Sequence, residues 1–185
     1  MKKTTIVYFT HTGVTKQLIE ACKKGLESAN VEVQTHQILG KEIVEGRFAN
    51  QALFETLLES DAIVFATPTY MGSVSAQFKA FADASSEYWG EQKWADKLAT
   101  GITCGSAMNG DQSSTLAYMN TLANQHGMFW VGLDSAYGFK DHGVNRMGCQ
   151  LGVVAWAEQD GVADERDKET AFYLGTRVGK VLCKN

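Results

Sequence analysis

Strand-like and helix-like segments alternate along most of the chain, and this alternation restricts the fold more than any other feature. Residues 62–66 (Ala-Ile-Val-Phe-Ala) are apolar throughout, as expected of a central parallel strand that is buried on both faces. The predicted strands are 4–9, 31–38, 62–66, 98–104 and 128–133, and the predicted helices are 13–28, 51–58, 75–87, 111–126 and 165–182. This succession predicts an α/β fold, a doubly wound five-stranded parallel sheet with helices on both faces.

Size and composition limit the classes of protein to which the chain can belong. With 185 residues, 44% of them hydrophobic, it can bury one sizeable core, and we expect a single domain over residues 1–185. A net charge of −4 without a basic stripe argues against nucleic acid as a partner. No apolar run approaches the roughly 20 residues of a membrane span, and we expect neither a span nor a signal peptide.

The four cysteines are far apart, and together with the four histidines they show no metal-ligand spacing. We therefore expect no metal site. Free thiols in a reducing, cytoplasmic environment are the simplest interpretation.

The first predicted strand leads directly into a loop rich in threonine, and the loop leads into a helix. Residues 10–15 read Thr-His-Thr-Gly-Val-Thr and contain no Lys or Arg. Threonine hydroxyls and the unpaired N–H groups of a new helix form a site for an anion, and here they would hold a phosphate monoester without a point charge. The alternative is an ordinary turn in which Thr12 caps the helix.

The loops after the third and fourth strands have the same small, polar character. Residues 67–73 read Thr-Pro-Thr-Tyr-Met-Gly-Ser, and residues 104–110 read Cys-Gly-Ser-Ala-Met-Asn-Gly. Pro68 makes its loop rigid, and Gly72 lets the backbone approach a flat ring closely. Since ligands of open α/β sheets bind at the carboxyl ends of the strands, the three loops predict one common site.

Two motifs resemble those of flavoproteins. The pattern T-x-T-G-x-T in residues 10–15 is similar to the FMN-phosphate loop of the flavodoxin superfamily. The run T-P-T-Y-M-G-S-V-S-A-Q-F-K-A-F in residues 67–81 resembles the signature of WrbA-type NAD(P)H:quinone oxidoreductases and the NADPH-dependent FMN reductases. Further matches follow in order at Trp89, at residues 97–99, at residues 122–128 and at residues 171–178, so the resemblance covers nearly the whole chain.

The resemblance implies a flavodoxin-like fold, FMN as cofactor and NAD(P)H as co-substrate. It also implies assembly into homodimers or homotetramers, and it implies that Trp89 helps to seat nicotinamide or quinone. We expect FMN contacts at the three loops, and no protein side chain as the catalytic group, because the flavin carries the chemistry. The expected cofactor contacts are Thr10, His11, Thr12, Gly13, Val14, Thr15, Pro68, Thr69, Tyr70, Met71, Gly72, Cys104, Gly105, Ser106, Ala107, Met108 and Asn109.

The chain also departs from the family pattern. Thr12 stands where the family usually has an aromatic residue, and the family's histidine near the ring would fall at Asn124 or Gln125. His126 is a candidate substrate contact, with a histidine at a helix C-terminus as the alternative. A core aromatic residue is the alternative for Trp89. Arg146 is a candidate for a 2′-phosphate contact.

These observations favour an FMN oxidoreductase that moves two electrons from NAD(P)H to a quinone or similar acceptor by ping-pong hydride transfer. The first alternative is a one-electron carrier, a flavodoxin proper. The second is an FMN-binding regulatory module without catalysis. The glycine-bearing segment 134–164 is too long for a structureless loop, so it is expected to cover the active site of a neighbouring subunit or to build a subunit interface.

Overall fold

The computed structural model describes residues 1–108, 110–136, 139–157 and 160–184. Its strands are β1 Lys3–Tyr8, β2 Glu32–Gln37, β3 Ile43–Val44, β4 Arg47–Phe48, β5 Ala62–Ala66, β6 Thr69–Tyr70, β7 Ser73–Val74, β8 Leu98–Gly105, β9 Phe129–Trp130 and β10 Val153–Trp156. Its helices are α1 Val14–Ser28, α2 Gln51–Glu59, α3 Ala76–Ala84, α4 Ser86–Trp89, α5 Gln112–Gln125, α6 Phe139–His142 and α7 Glu165–Leu182, with a 3₁₀ turn at Gly40–Glu42.

The main sheet is parallel throughout, and its strand order confirms the predicted doubly wound architecture. The order is β2-β1-β5-β8, with β9 and β10 both paired to the outer edge of β8. Counted by position, this is the 2-1-3-4-5 order of flavodoxin-like folds. Strands β1, β5 and β8 are buried almost completely, because both of their faces are covered by helices.

Alternate residues of each central strand enter different cores. On one face, Ile6 and Val64 pack with α1 and α7. On the other face, Val7, Ile63 and Phe65 pack with α2, α3 and α5. This alternation follows from the pleat of a strand, in which successive side chains point to opposite faces of the sheet. Because both faces of β5 are covered, all of its residues have to be apolar.

The fifth strand differs from its prediction. Residues 128–133 were expected to form it, but β9 is only two residues long, and β10 completes the same edge of β8 from within the segment expected to be a loop. After β9 the chain leaves the main sheet. Leu133 N–H donates to the carbonyl of Gln150 at 2.8 Å, so the departing segment is hydrogen-bonded to the segment that leads back into the sheet as β10. Residues 131–152 are therefore an insertion that splits one strand in two.

Two small hairpins were also not predicted. They are β3–β4 and β6–β7, each built from strands of two residues. Patterns this short carry no periodicity, so the sequence offers no signal for them. In the part of the chain that the structure describes, none of the helices combines the length and apolarity needed to cross a membrane.

Candidate functional site

The loops after β1, β5, β8 and β10 meet at the carboxyl edge of the sheet because these strands run parallel. Thr15 Oγ1 lies 3.4 Å from Cys104 Sγ, which links the first loop to the third. Thr69 Oγ1 lies 2.9 Å from Thr103 Oγ1, which places the second loop beside the end of the strand that leads into the third. Gln17 Nε2 donates to the carbonyl of Gly161 at 2.8 Å. The structure thus brings the three predicted loops together and adds a fourth.

Helix α1 begins at this edge without a capping side chain. Its N-cap is Gly13, in the left-handed region at φ 97°, and no side chain caps the first turn. By contrast, Asn50 caps α2, Ser75 caps α3 and Asp164 caps α7. The alternative in which Thr12 caps α1 is therefore wrong. The positive end of this helix is left for an anion.

The first loop is shaped around Gly13. A Cβ at Gly13 would meet no atom within 4 Å, so the space in front of its backbone is open. Thr10 Oγ1 accepts a hydrogen bond from Gly13 N–H at 3.2 Å, which leaves the hydroxyl hydrogen of Thr10 to point elsewhere. The other positions divide into the exposed His11 and Thr12 and the buried Val14 and Thr15.

The second loop is the β6–β7 hairpin. Its two-residue turn consists of Met71 and Gly72, both at positive φ (48° and 76°), as in the turns that favour tight hairpins. Pro68 is buried beneath it, whereas Tyr70 and Met71 are exposed. A Cβ at Gly72 would meet only Asp111 Cβ, at 3.9 Å, so this backbone also faces open space.

The third loop combines a buried thiol with exposed small residues. Cys104 is 3% exposed, and burial raises the pKa of its thiol to about 11. The thiol is therefore protonated at neutral pH, which argues against a nucleophile or a redox sensor at this position. Gly105 is half-buried, Ser106, Ala107 and Met108 are exposed, and Asn109 lies outside the described residues.

Sequence reasoning missed two side chains that order these loops. Gln17 binds the first loop to the fourth, because its Nε2 donates to the carbonyls of Gly13 and Gly161 and its Oε1 accepts from Ala163 N–H at 3.1 Å. Trp156, at the end of β10, donates its indole N–H to the Ser106 carbonyl at 3.1 Å. The apolar run Val-Val-Ala-Trp at 153–156 was an available signal for a strand that ends at the site.

Trp89 and His126 are not brought to the loops of the same chain. They line a cleft of about 500 Å³ between α3, α4 and α5, together with Arg47, Lys79 and Tyr118. Trp89 is the last residue of α4, and His126 directly follows α5. The chain runs back from the carboxyl edge through these helices, so both residues lie near the amino ends of β8 and β9. The length of β8 separates the two edges by roughly 23 Å at about 3.3 Å per residue. Trp89 is 53% exposed, so it is not a core aromatic residue.

His126 is a buried histidine. It is 2% exposed, its Nε2 lies 2.9 Å from Ser85 Oγ, and its ring lies 4.3 Å from that of Trp94. Its Nδ1 has no hydrogen-bond partner among the described residues. Burial lowers the pKa of the imidazole from 6.5 to about 4. The ring is therefore neutral at physiological pH.

We expect His126 to make the protein less stable in mild acid. The unfolded chain binds this proton at higher pH than the folded chain, so stability falls as the pH drops from about 6.5 towards 4, by up to about 3 kcal/mol. In His126→Phe the dependence of the free energy of unfolding on pH should flatten over this range, as measured by urea unfolding at several pH values. An unchanged slope in His126→Phe would contradict the assignment.

Arg146 is not available for a 2′-phosphate. Its guanidinium donates to both oxygens of Asp167 at 2.8 Å, and it lies 3.3 Å from Asp164. Asp167 is 1% exposed and also accepts Trp156 N–H at 3.2 Å. A bidentate pair of this kind ties the insertion to the start of α7. Arg146 is therefore a structural residue in this chain.

Comparisons with known proteins agree with this geometry. The sequence model of the family described as "NADPH-dependent FMN reductase" matches residues 8–140. The chain is 35% identical to flavodoxin FldP of Pseudomonas aeruginosa, over 98% of this chain and 97% of that protein. It is 31% identical to quinone-oxidoreductase QR2 of Triphysaria versicolor, over 98% and 96% of the two chains.

A solved structure shows the same likeness over the whole fold. The flavodoxin, WrbA-like protein from Agrobacterium tumefaciens superimposes with a TM-score of 0.76 at 35% identity. The match covers 100% of this chain and 99% of that one.

Proposed function

The chain belongs to the family of NADPH-dependent FMN reductases, and we propose that it passes two electrons from NAD(P)H to a quinone or a similar small acceptor. It is an oxidoreductase that uses FMN and NAD(P)H. When bound, FMN would supply the redox chemistry, the uptake of hydride from NAD(P)H and the transfer of electrons to the acceptor. The protein binds and orients its ligands, and we propose that residues 1–185 act as one FMN-binding domain for this purpose.

The observation that carries this proposal is the uncapped, open end of α1. We assign the FMN phosphate to residues 10–15, where the open backbone of Gly13 and the hydroxyl of Thr10 face the positive end of the helix. Helices α2, α3 and α7 have side-chain caps, whereas at α1 a phosphate would itself complete the first turn. The residues present therefore fit the phosphate group.

The second and third loops fit the ring of FMN. The open backbone at Met71 and Gly72 can approach the ring edge and present N–H donors to it, and Tyr70 offers a flat, exposed side chain. Ser106, Ala107 and Met108 border the other side. We propose that nicotinamide and acceptor use one open face of the bound ring in turn, which is the basis of the ping-pong order.

The alternative of a one-electron carrier has specific support. The relative at 35% identity is named a flavodoxin, and the loop of residues 10–15 has the flavodoxin pattern. The other relative is named a quinone oxidoreductase. The two functions place FMN in the same loops, so direct reduction by NAD(P)H is the property that separates them.

We propose a homodimer or homotetramer. Trp89 lies at the edge of the sheet opposite the loops, so it can seat nicotinamide or quinone only at a site formed with a second copy. His126 is buried beside it and would have to become exposed to contact the same ligand. The exposed indole of Trp89 is suited to stacking on a flat ring.

All four cysteines are free, which supports the proposed cytoplasmic location.

The test is an absorbance spectrum of purified protein after FMN is added and the excess removed, followed by anaerobic NADPH or NADH. We expect flavin bands that are retained and that bleach with at least one nucleotide, because the open face exposes the ring to hydride. Benzoquinone added afterwards should restore the bands. Bands that do not bleach would favour the carrier, and a spectrum without flavin would overturn the proposal.

A further inference from the structure

Three threonines from different parts of the fold meet behind the β6–β7 hairpin. Thr69 begins the hairpin, Thr103 lies in β8 and Thr115 lies in α5. Thr69 Oγ1 is 2.9 Å from Thr103 Oγ1 and 2.8 Å from Thr115 Oγ1. Thr103 and Thr115 are fully buried, and Thr69 is half-buried. Their hydroxyls form a continuous chain that joins the second loop to the strand and helix around the third.

The direction of this hydroxyl chain follows from counting hydrogens. Thr103 Oγ1 donates to the carbonyl of Thr67 at 2.8 Å, and a carbonyl can only accept. The one hydrogen of Thr103 is thereby used, so Thr69 must donate to Thr103. The hydrogen of Thr69 is then used as well, and Thr115 must donate to Thr69. One arrangement alone satisfies all three contacts, with each hydroxyl donating once.

The hairpin depends on this attachment because it is too small to hold its own shape. Each of its strands has two residues, and isolated hairpins are marginal in water even when they are longer. Its turn also places a non-glycine residue, Met71, at φ 48°, which adds strain. Outside the backbone pairing of β6 with β7, the side chain of Thr69 bonds the hairpin to β8 and α5.

We propose that Thr103 and Thr115 are positioning residues for FMN: through Thr69 they hold the Met71–Gly72 turn where its backbone meets the ring. This inference rests on the proposed function, which assigns the ring edge to that turn. Neither threonine touches the turn itself. Both act through the hydroxyl of Thr69, so the loss of either should loosen the hairpin without changing the loop that holds the phosphate.

The chain offers a matched control on the same strand. Thr100, like Thr103, is fully buried in β8, and its Oγ1 donates to a carbonyl, that of Val131, at 2.6 Å. Thr100→Val and Thr103→Val are the same substitution at two positions of β8, and each removes one buried hydroxyl. Only Thr103→Val interrupts the chain of hydroxyls. A difference between the two variants therefore measures the effect of that interruption, and not the loss of stability that follows from removing any buried hydroxyl.

The first measurement is hydrogen exchange in the protein without FMN, followed by mass spectrometry of peptides that span residues 69–74. Thr103→Val and Thr115→Val should raise exchange in this segment by about tenfold relative to wild type, since each removes a buried hydrogen bond. Thr100→Val should leave the segment unchanged, and Thr103→Ser, which keeps the hydroxyl, should restore protection.

The second measurement is the dissociation constant of FMN for the same four variants. Thr103→Val and Thr115→Val should bind FMN about fivefold to tenfold more weakly, and Thr100→Val and Thr103→Ser should bind like wild type. Equal behaviour of Thr100→Val and Thr103→Val, or faster exchange without weaker binding, would overturn the positioning role while wild type still binds FMN. A wild-type protein that binds no FMN would overturn the proposed function and the positioning role together.

Discussion

Replacement of Gly13 by valine is expected to weaken the binding of FMN by about a hundredfold. The φ of Gly13 is 97°, a region that a β-branched side chain adopts only with strain, and the new side chain would occupy the open space assigned to the phosphate. A cost of about 3 kcal/mol would weaken binding by about a hundredfold. The measurement is the FMN dissociation constant, followed by flavin fluorescence, at constant ionic strength.

The matched control for this prediction is Gly46→Val. Gly46 also has a positive φ, 79°, and also faces space with no atom within 4 Å of a Cβ, but it lies in the β3–β4 turn. Both variants should lose a similar amount of stability in thermal unfolding of the protein without FMN. If Gly13→Val retained FMN as firmly as Gly46→Val, the phosphate would lie elsewhere and the assignment of residues 10–15 would be wrong.

Replacement of Gly175 by alanine is expected to destabilise the protein by about 3 kcal/mol or more, although alanine is the better helix former by about 1 kcal/mol. Helices α1 and α7 touch through their backbones. A Cβ at Gly175 would lie 2.1 Å from the carbonyl oxygen of Cys22, and a Cβ at Gly25 would lie 2.1 Å from that of Phe172. Since neither carbonyl belongs to a flexible side chain, the helices would have to separate.

Chemical denaturation of the protein without FMN measures this effect. Gly90→Ala is the control, because Gly90 has helical angles (φ −60°, ψ −33°) and a Cβ there would meet no atom within 4 Å. That variant should be neutral or slightly more stable. If Gly175→Ala were more stable than wild type, the helix propensity of alanine would outweigh any clash of its Cβ with the Cys22 carbonyl. The backbones of α1 and α7 would then not be in contact.

Parts of the fold that depend on local pattern could be predicted from the sequence. The apolar run 62–66 identified the central strand β5, and the helical spacing after it predicted the helices of both layers. Helix α7, Glu165–Leu182, has the bounds that its pattern predicted. The three loops could also be placed at one edge, because the carboxyl ends of parallel strands must lie together.

Features that depend on distant partners could not be predicted in this way. The split fifth strand is one case, since Phe129–Trp130 is too short to carry a pattern and becomes a strand only by pairing with β8. The position of Trp89 is another. The resemblance singled out this residue, but only the course of α3 and α4 shows that it lies at the opposite end of the strands from the loops.

The sequence by itself determined the local chemistry: a strand, a threonine-rich loop with glycine and a helix that follows it. Such features depend on residues that are neighbours in the chain. Only the tertiary structure decided that α1 lacks a capping side chain, that Arg146 is bound by Asp167, and that Thr69 is held by Thr103 and Thr115. The last two facts join residues far apart in the chain, and the folded packing alone determines which buried polar groups become partners.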